Sequence, residues 1–204
     1  MIFLEDLLKE HDFVGAANSL AADFRAEHHL GKIHQLGLVV EDVEKAAQRL
    51  EAQGIGPFFI ASGAPVFWRE KGEERKIKGK MGLAYYHGFE LELLEPTQGS
   101  DFYRQCLDDR GRIVVQHLGF LVKKVDIAAE KLEKAGTPVW VRGRLKAFPT
   151  ITDFAYMDPI EKNGLVMEFI SWKILGIWPV TPPASLFHLI GRIEKWSGKR
   201  SIAL

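Results

Sequence analysis

Residues 34–54 read HQLGLVVEDVEKAAQRLEAQG, and residues 116–136 read QHLGFLVKKVDIAAEKLEKAG. The second copy follows the first at a constant offset of 82 residues without a gap, from Gly37 and Gly119 through to Gly54 and Gly136. A repeat this long marks one duplicated supersecondary unit, so both halves must fold alike and bury their apolar faces on a shared core.

Within each copy, Val43, Ala46, Ala47 and Leu50 match Val125, Ala128, Ala129 and Leu132. Those positions fall at i, i+3, i+4 and i+7, the apolar stripe of a helix, and the glycine that ends each copy is the expected left-handed stop. Aliphatic, β-branched runs precede the helices, at Ile33–Val40 and Ile113–Val122. After the first helix come Phe58–Ile60, Pro65–Trp68, Met81–Tyr86 and Phe89–Leu94; after the second come Pro138–Val141, Thr152–Met157 and Leu165–Ile170. His87-Gly88, Asp158-Pro159 and Asn163-Gly164 supply the turns. Each half therefore reads as β-α-β-β-β.

The expected divisions are a helical N-terminal extension at 1–31, a first module at 32–98, a linker helix with a second module at 99–171, and a C-terminal extension at 172–204. Ser100 is placed to cap the short linker helix, Asp101–Leu107. The C-terminal extension carries Trp172, Trp178, Pro179, Pro182, Pro183, Phe187 and Trp196, which suits a segment wrapping over the body or a neighbouring subunit.

Composition removes several classes. Lys+Arg and Asp+Glu number 27 each, so no net field exists to hold nucleic acid or an anionic membrane. No apolar run approaches the ~20 residues of a membrane span, and the acidic N-terminus lacks the basic start of a signal peptide. The lone Cys106 cannot form an internal bridge and fits a reducing compartment, so a cytoplasmic protein is expected.

The chemistry-bearing residues sit at matched places in the two copies. The opening strand carries a polar residue two before its glycine, in Gln35-Leu36-Gly37 and His117-Leu118-Gly119. Alternation puts each polar residue and its glycine on one face, where the glycine leaves room for something to approach the sheet. The closing strand sets carboxylates among apolar neighbours, Phe89-Glu90-Leu91-Glu92-Leu93 and Val166-Met167-Glu168-Phe169-Ile170. A glutamate in so apolar a strand is costly to bury unless paired or metal-bound. Glu90 and Glu92 share a face, and spacing alone does not choose between them.

The repeat, together with Leu91-Glu92-Leu93-Leu94-Glu95-Pro96 and His117-Leu118-Gly119-Phe120, resembles the vicinal oxygen chelate superfamily. That superfamily includes glyoxalase I, methylmalonyl-CoA epimerase, extradiol dioxygenases and the bleomycin and fosfomycin resistance proteins. The resemblance covers about residues 32–171 and is nearest to the epimerase branch. It implies an α+β fold in which two tandem βαβββ modules form an open mixed half-barrel. It also implies metal ligands from the opening and closing strands: Gln35 and Glu92 from the first module, His117 and Glu168 from the second. Such a set suits Zn²⁺, Co²⁺, Ni²⁺ or Mn²⁺.

The implied activity is that of a metal-dependent isomerase or lyase, like methylmalonyl-CoA epimerase or glyoxalase I, with Glu168 as both ligand and base. The substrate would be a small molecule, an acyl-CoA or a thiol adduct, and the protein a homodimer. The epimerases usually carry histidine where Gln35 stands. His34 lies one residue early and on the opposite face, and a one-residue bulge would bring it inward. Epimerisation also needs a second acid/base, supplied in the epimerases by the second strand of the first module. Here Phe58–Phe67 contains no Asp or Glu, leaving Glu70, Tyr85, Tyr86 and Tyr156 as candidates.

Two other readings compete. One is a metal-free small-molecule-binding module that sequesters an antibiotic; the other is an extradiol-type dioxygenase, against which Gln35 argues. Residues 69–80 read as a solvated mixed-charge loop, Cys106 as an inert packing residue, and His28, His29, His87 and His188 as surface or capping histidines.

Overall fold

Both copies of the repeat open with a strand and a helix; five strands follow in the first half and three in the second. The structure, a computed structural model, describes residues 1–147, 149–160, 164–174, 183–198 and 201–203. The N-terminal extension comprises β1 (Ile2–Phe3), α1 (Leu4–Leu7), α2 (Phe13–Ser19) and α3 (Ala22–Glu27). The first half holds β2 (Gln35–Val39), α4 (Val43–Glu51), β3 (Phe59–Gly63), β4 (Phe67–Glu70), β5 (Glu73–Glu74), β6 (Gly79–Tyr86) and β7 (Phe89–Leu94). The second holds β8 (Val114–Leu121), α5 (Val125–Lys134), β9 (Val139–Ala147), β10 (Thr150–Met157) and β11 (Val166–Ile174), followed by α6 (Ala184–Ser197) and β12 (Ile202–Ala203).

The strands make one sheet in the order β12-β3-β6-β7-β2-β8-β11-β10-β9-β4-β5, with β1 pairing the start of β8. At its centre β2 and β8 run antiparallel, with Gln35 opposite Gly119 and Gly37 opposite His117. Each polar residue of one copy thus faces the glycine of the other, which is a two-fold axis written in the register. The same axis relates the parallel pairs outside it: Gly37 lies beside Glu92, and Gly119 beside Glu168. Glu92 is therefore the counterpart of Glu168, whereas Glu90 pairs with Gln35 and corresponds to Val166.

The two helices of the repeat, α4 and α5, cover the convex side. Val43, Ala46, Ala47 and Leu50 of α4 are buried, as are Val125, Ala129 and Leu132 of α5, the stripes expected from the 3.6-residue period. Gly54 and Gly136 follow the helices at φ of 82° and 96°, values at which a Cβ would be strained.

Three expectations are corrected. The strand placed at Pro65–Trp68 does not stay in the first module: β4 pairs with β9 of the second, from Phe67 opposite Arg144 to Glu70 opposite Val141. Residues 64–66 carry the chain between β3 and β4, near opposite ends of the strand order. Chain reach holds Gly63 and Phe67 within roughly 14 Å of each other, so the sheet must curl into a half-barrel whose margins nearly meet. The 69–80 segment is not simply a loop, since it contains β5 and the start of β6. The linker helix shrinks to a 3₁₀ turn at Arg104–Cys106, because Phe102 and Tyr103 are drawn into an aromatic cluster with Trp68, Phe154 and Tyr156.

The C-terminal extension starts by prolonging β11 of the second half and then lies on the first half. β11 runs past residue 171 to Ile174, α6 packs on β3 and β6, and β12 adds a parallel strand to the edge of β3. Asn163, Trp178, Pro179 and Pro182 lie outside the described residues. Among the described residues no helix is long and apolar enough to cross a membrane.

Candidate metal site

The glycines of the repeat are explained by each other's partners. A Cβ on Gly37 would fall inside the imidazole of His117, and one on Gly119 would lie 2.7 Å from Gln35 Oε1. The space that the sequence suggested for an approaching group is thus taken by the polar side chain of the other copy.

His117 is fully buried, with Nδ1 2.7 Å from Gln116 Oε1. An amide oxygen only accepts, so Nδ1 carries the proton of that bond. Nε2 then points among three oxygens: Glu168 Oε2 at 3.0 Å, Gln35 Oε1 at 3.3 Å and Glu92 Oε2 at 3.5 Å. The ligand atoms of Glu92, His117 and Glu168 all lie within 4.8 Å of one another. Glu92 Oε2 and Glu168 Oε2 are buried and accept no hydrogen bond among the described residues. The structure therefore brings together all four residues singled out from the sequence.

Two supporting residues were not anticipated. Gln116 reaches the imidazole because β8 is bulged: the register passes from Gly37–His117 to Leu38–Val115 and leaves Gln116 unopposed. Strict alternation hides this, since it turns residues 116 and 117 to opposite faces. Glu90, fully buried, accepts from Gln35 Nε2 at 2.7 Å and from Tyr85 Oη at 2.9 Å. It orients the Gln35 amide so that Oε1 is left for the site.

The bulge expected as an alternative in the first strand lies in the second strand instead, and His34 stays out. Its Nε2 is 3.9 Å from Glu90 Oε2, and the residue lines a separate groove with His28 and His29.

Charge in this volume is tightly constrained. Burial opposes ionisation of His117, but Glu168 and Glu92 override it and push its pKa up to about 9. Burial raises the Glu168 carboxyl, and the adjacent His117 opposes that rise. Glu90 is pushed up to about 7, first by burial and then by the charge of Glu92.

Gln35, Glu92 and Glu168 line a cavity of about 360 Å³ on the concave side, whose other walls include Trp68, Tyr103, Phe154 and Tyr156. Tyr103 and Tyr156 join hydroxyls at 3.1 Å, and the Tyr156 ring stands edge-on to His117 with centroids 5.0 Å apart. Of the four acid/base candidates, only Tyr156 lines this cavity. Glu70 accepts from Ser100 Oγ at 2.7 Å, Tyr85 is held by Glu90, and Tyr86 packs on Phe13. Cys106 is half-buried and its thiol is pushed up to about 11 by burial. His87 packs on Phe13 and Tyr86, and His188 Nε2 accepts from the Tyr85 amide.

A profile of the Glyoxalase/Bleomycin resistance protein/Dioxygenase superfamily matches residues 34–156. The chain belongs to that superfamily. The superfamily suggested by the repeat is the one found, and the epimerase branch is not singled out within it. Comparison with curated protein sequences gave no match. Similar solved structures include a triple mutant of 4-hydroxymandelate synthase from Streptomyces coelicolor (14% identity, TM-score 0.48), covering 81% of this chain and 54% of that one. Another is a xylose isomerase-like TIM barrel/4-hydroxyphenylpyruvate dioxygenase fusion protein (12%, TM-score 0.41), covering 81% and 29%. A glyoxalase family protein from Bacillus cereus (13%, TM-score 0.23) covers 69% and 93%. The chain thus spans about half the length of the first of these proteins and under a third of the second.

Proposed function

We propose that this chain is a metal-dependent isomerase or lyase, with Gln35, Glu92, His117 and Glu168 holding one divalent cation at the polar end of the cavity. The environment of His117 carries the reading. With Nδ1 committed to Gln116, Nε2 faces three acceptor oxygens, and Glu92 Oε2 and Glu168 Oε2 are buried without a geometrically formed hydrogen bond among the described residues. Three acceptor oxygens converging in a buried volume call for positive charge among them, which the His117 imidazolium supplies in the metal-free protein and a divalent ion would supply in its place. A proton on Nε2 satisfies one oxygen, whereas a divalent ion satisfies the whole set, and mixed oxygen and imidazole donors suit Zn²⁺, Co²⁺, Ni²⁺ or Mn²⁺. When bound, such an ion supplies Lewis acidity toward a carbonyl oxygen.

The protein's own residues then divide the work. Gln116 fixes the His117 tautomer and Glu90 fixes the Gln35 amide, so the donors are preorganised. Glu168 is the base: its carboxyl, raised by burial, takes a proton from the carbon next to the carbonyl and retains it for return. The paired hydroxyls of Tyr103 and Tyr156 offer a donor to a substrate oxygen on the cavity wall. Among the described residues lining the cavity, the only carboxylates are Glu92 and Glu168, both within the ligand set. That supports proton movement on one face of the substrate, as an isomerase or lyase performs it, over epimerisation. A ring-cleaving oxygenase, wanting a second histidine, is disfavoured by the position of His34.

The test is elemental analysis of protein reconstituted separately with each of the four ions, followed by deuterium exchange from solvent into thioesters and hemithioacetals. One ion per chain, lost in Glu168→Ala and His117→Ala but kept in Tyr103→Phe, is the expected result. A wild-type chain that retains none of the four ions overturns the proposal.

A further inference from the structure

Helix α6 lies outside the repeat and outside residues 34–156 of the superfamily match, yet it lines the same cavity as Glu92 and Glu168. Phe187 is buried and stacks on Phe59 and Tyr85, each at 6.0 Å between centroids, with Trp172 edge-on. Leu186 and Ile190 line the cavity beside it. The helix is seated by specific contacts. Gly191 rides so close to β3 that a Cβ there would lie 2.7 Å from the Phe58 carbonyl oxygen. One turn on, Glu194 accepts from the Ile60 amide at 2.9 Å. A seat that close fixes the inward side chains relative to the sheet rather than letting them drift over it.

We propose that α6 is the specificity wall of the cavity, with Phe187 and Ile190 setting the size of the apolar group that a substrate carries into it. The ligand class at this wall is a compact aromatic or short aliphatic group, because Trp172, Leu186, Phe187 and Ile190 make the wall apolar and the volume of about 360 Å³ stands at the small end of the ~300–1,000 Å³ range of small-molecule sites. This rests on the metal-site reading only in taking the cavity as the substrate's place.

The experiment displaces the neutral fluorophore 1-aminoanthracene with alkylbenzenes from toluene to hexylbenzene. It uses wild type, Ile190→Ala, Ile190→Trp and the control Leu189→Ala, whose parent side chain is 55% exposed. Each methylene that fits is worth roughly a fourfold gain in affinity. Ile190→Ala is expected to extend that gain to longer chains, Ile190→Trp to end it sooner, and Leu189→Ala to leave the series unchanged. Ile190→Val supplies a graded point should Ile190→Trp fold poorly.

An unchanged chain-length profile in Ile190→Ala and Ile190→Val, at retained melting temperature, overturns the proposal, as does absence of probe binding to wild type. Metal content measured on the same samples separates the two readings. A size shift without metal uptake keeps the wall and removes the metal chemistry. Metal uptake without a size shift does the reverse.

Discussion

The two halves of the sheet share a register but not a chemistry. Around one axis, Gln35, Gly37 and Glu92 of the first half answer His117, Gly119 and Glu168 of the second. The second half places a titratable imidazole on the axis, while the first places a neutral amide. Their supports differ too: His117 is held by Gln116 from a bulge within its own strand, and Gln35 by Glu90 from the neighbouring strand. At the position of Glu90 the second half has only Val166. Duplication thus fixes where polar side chains converge, and the orienting residues are solved separately in each half.

The largest expected effect separates the ligands by half. A tight zinc site contributes ~10–16 kcal/mol, so each of four donors accounts for roughly a hundredfold to a thousandfold in affinity. Glu168→Ala and His117→Ala should lose at least that, because each removes a charged partner or the imidazole itself. Gln35→Ala, removing a neutral oxygen, should lose about tenfold. Calorimetric titration with the preferred ion checks this, and equal losses at residues 35 and 168 would make the halves equivalent.

The glycines give the next contrast. In Gly37→Ala the new methyl meets a rigid, buried imidazole backed by Tyr156, for an expected cost of about 3 kcal/mol. In Gly119→Ala it meets the Gln35 amide, Gln35 Cβ at 2.8 Å and the tip of Ile170, of which only the Ile170 tip can turn aside freely, for about 2 kcal/mol. Urea unfolding of both variants measures the difference. A larger cost at residue 119 would mean that Gln35 is the more firmly held of the two.

The sequence carried the duplicated architecture, the helical stripes and the positions of Gln35, His117 and Glu168, because each depends on local period or on the offset between copies, while it names Glu92 only through the family resemblance. What it hid depends on which strands become neighbours. Glu92 is distinguished from Glu90 only by lying beside Gly37 in a parallel pair. β4 leaves its own module because β9 offers a free edge, and no local pattern in Phe67–Glu70 announces that partner. Gln116 enters the site through a bulge that breaks the alternation by which its face was assigned.

Glu90 gives the first half a pH dependence that Val166 cannot give the second. Its folded carboxyl titrates at about 7 against an ordinary value of 4.5, so the native state holds the proton where the unfolded chain has released it. Stability of the metal-free protein therefore falls as pH rises through this window, by about 2 kcal/mol between pH 4.5 and 6.5. The contribution of His117 has the same sign but a higher window, lost as pH rises from 6.5 through about 9. Glu90→Gln should flatten the lower window and leave the upper one. Urea unfolding in chelator across this range is the measurement, and an unchanged lower slope would assign it to another group.

The smallest contrast lies on the convex face. In α4, Asp42 occupies the N-cap and accepts from the Lys45 amide at 3.0 Å, whereas Lys124 occupies the equivalent place in α5 with no side-chain bond. A lysine there also sets a positive charge against the positive end of the helix dipole. Asp42→Ala should cost about 1 kcal/mol, and Lys124→Asp should gain roughly 0.5–1 kcal/mol. Both are read as shifts in urea midpoint at constant slope. If Lys124→Asp gains nothing while Asp42→Ala costs the full amount, α5 already satisfies its first amides by other means. The two helices, alike in their buried stripes, would then differ at their starts for a reason other than the cap.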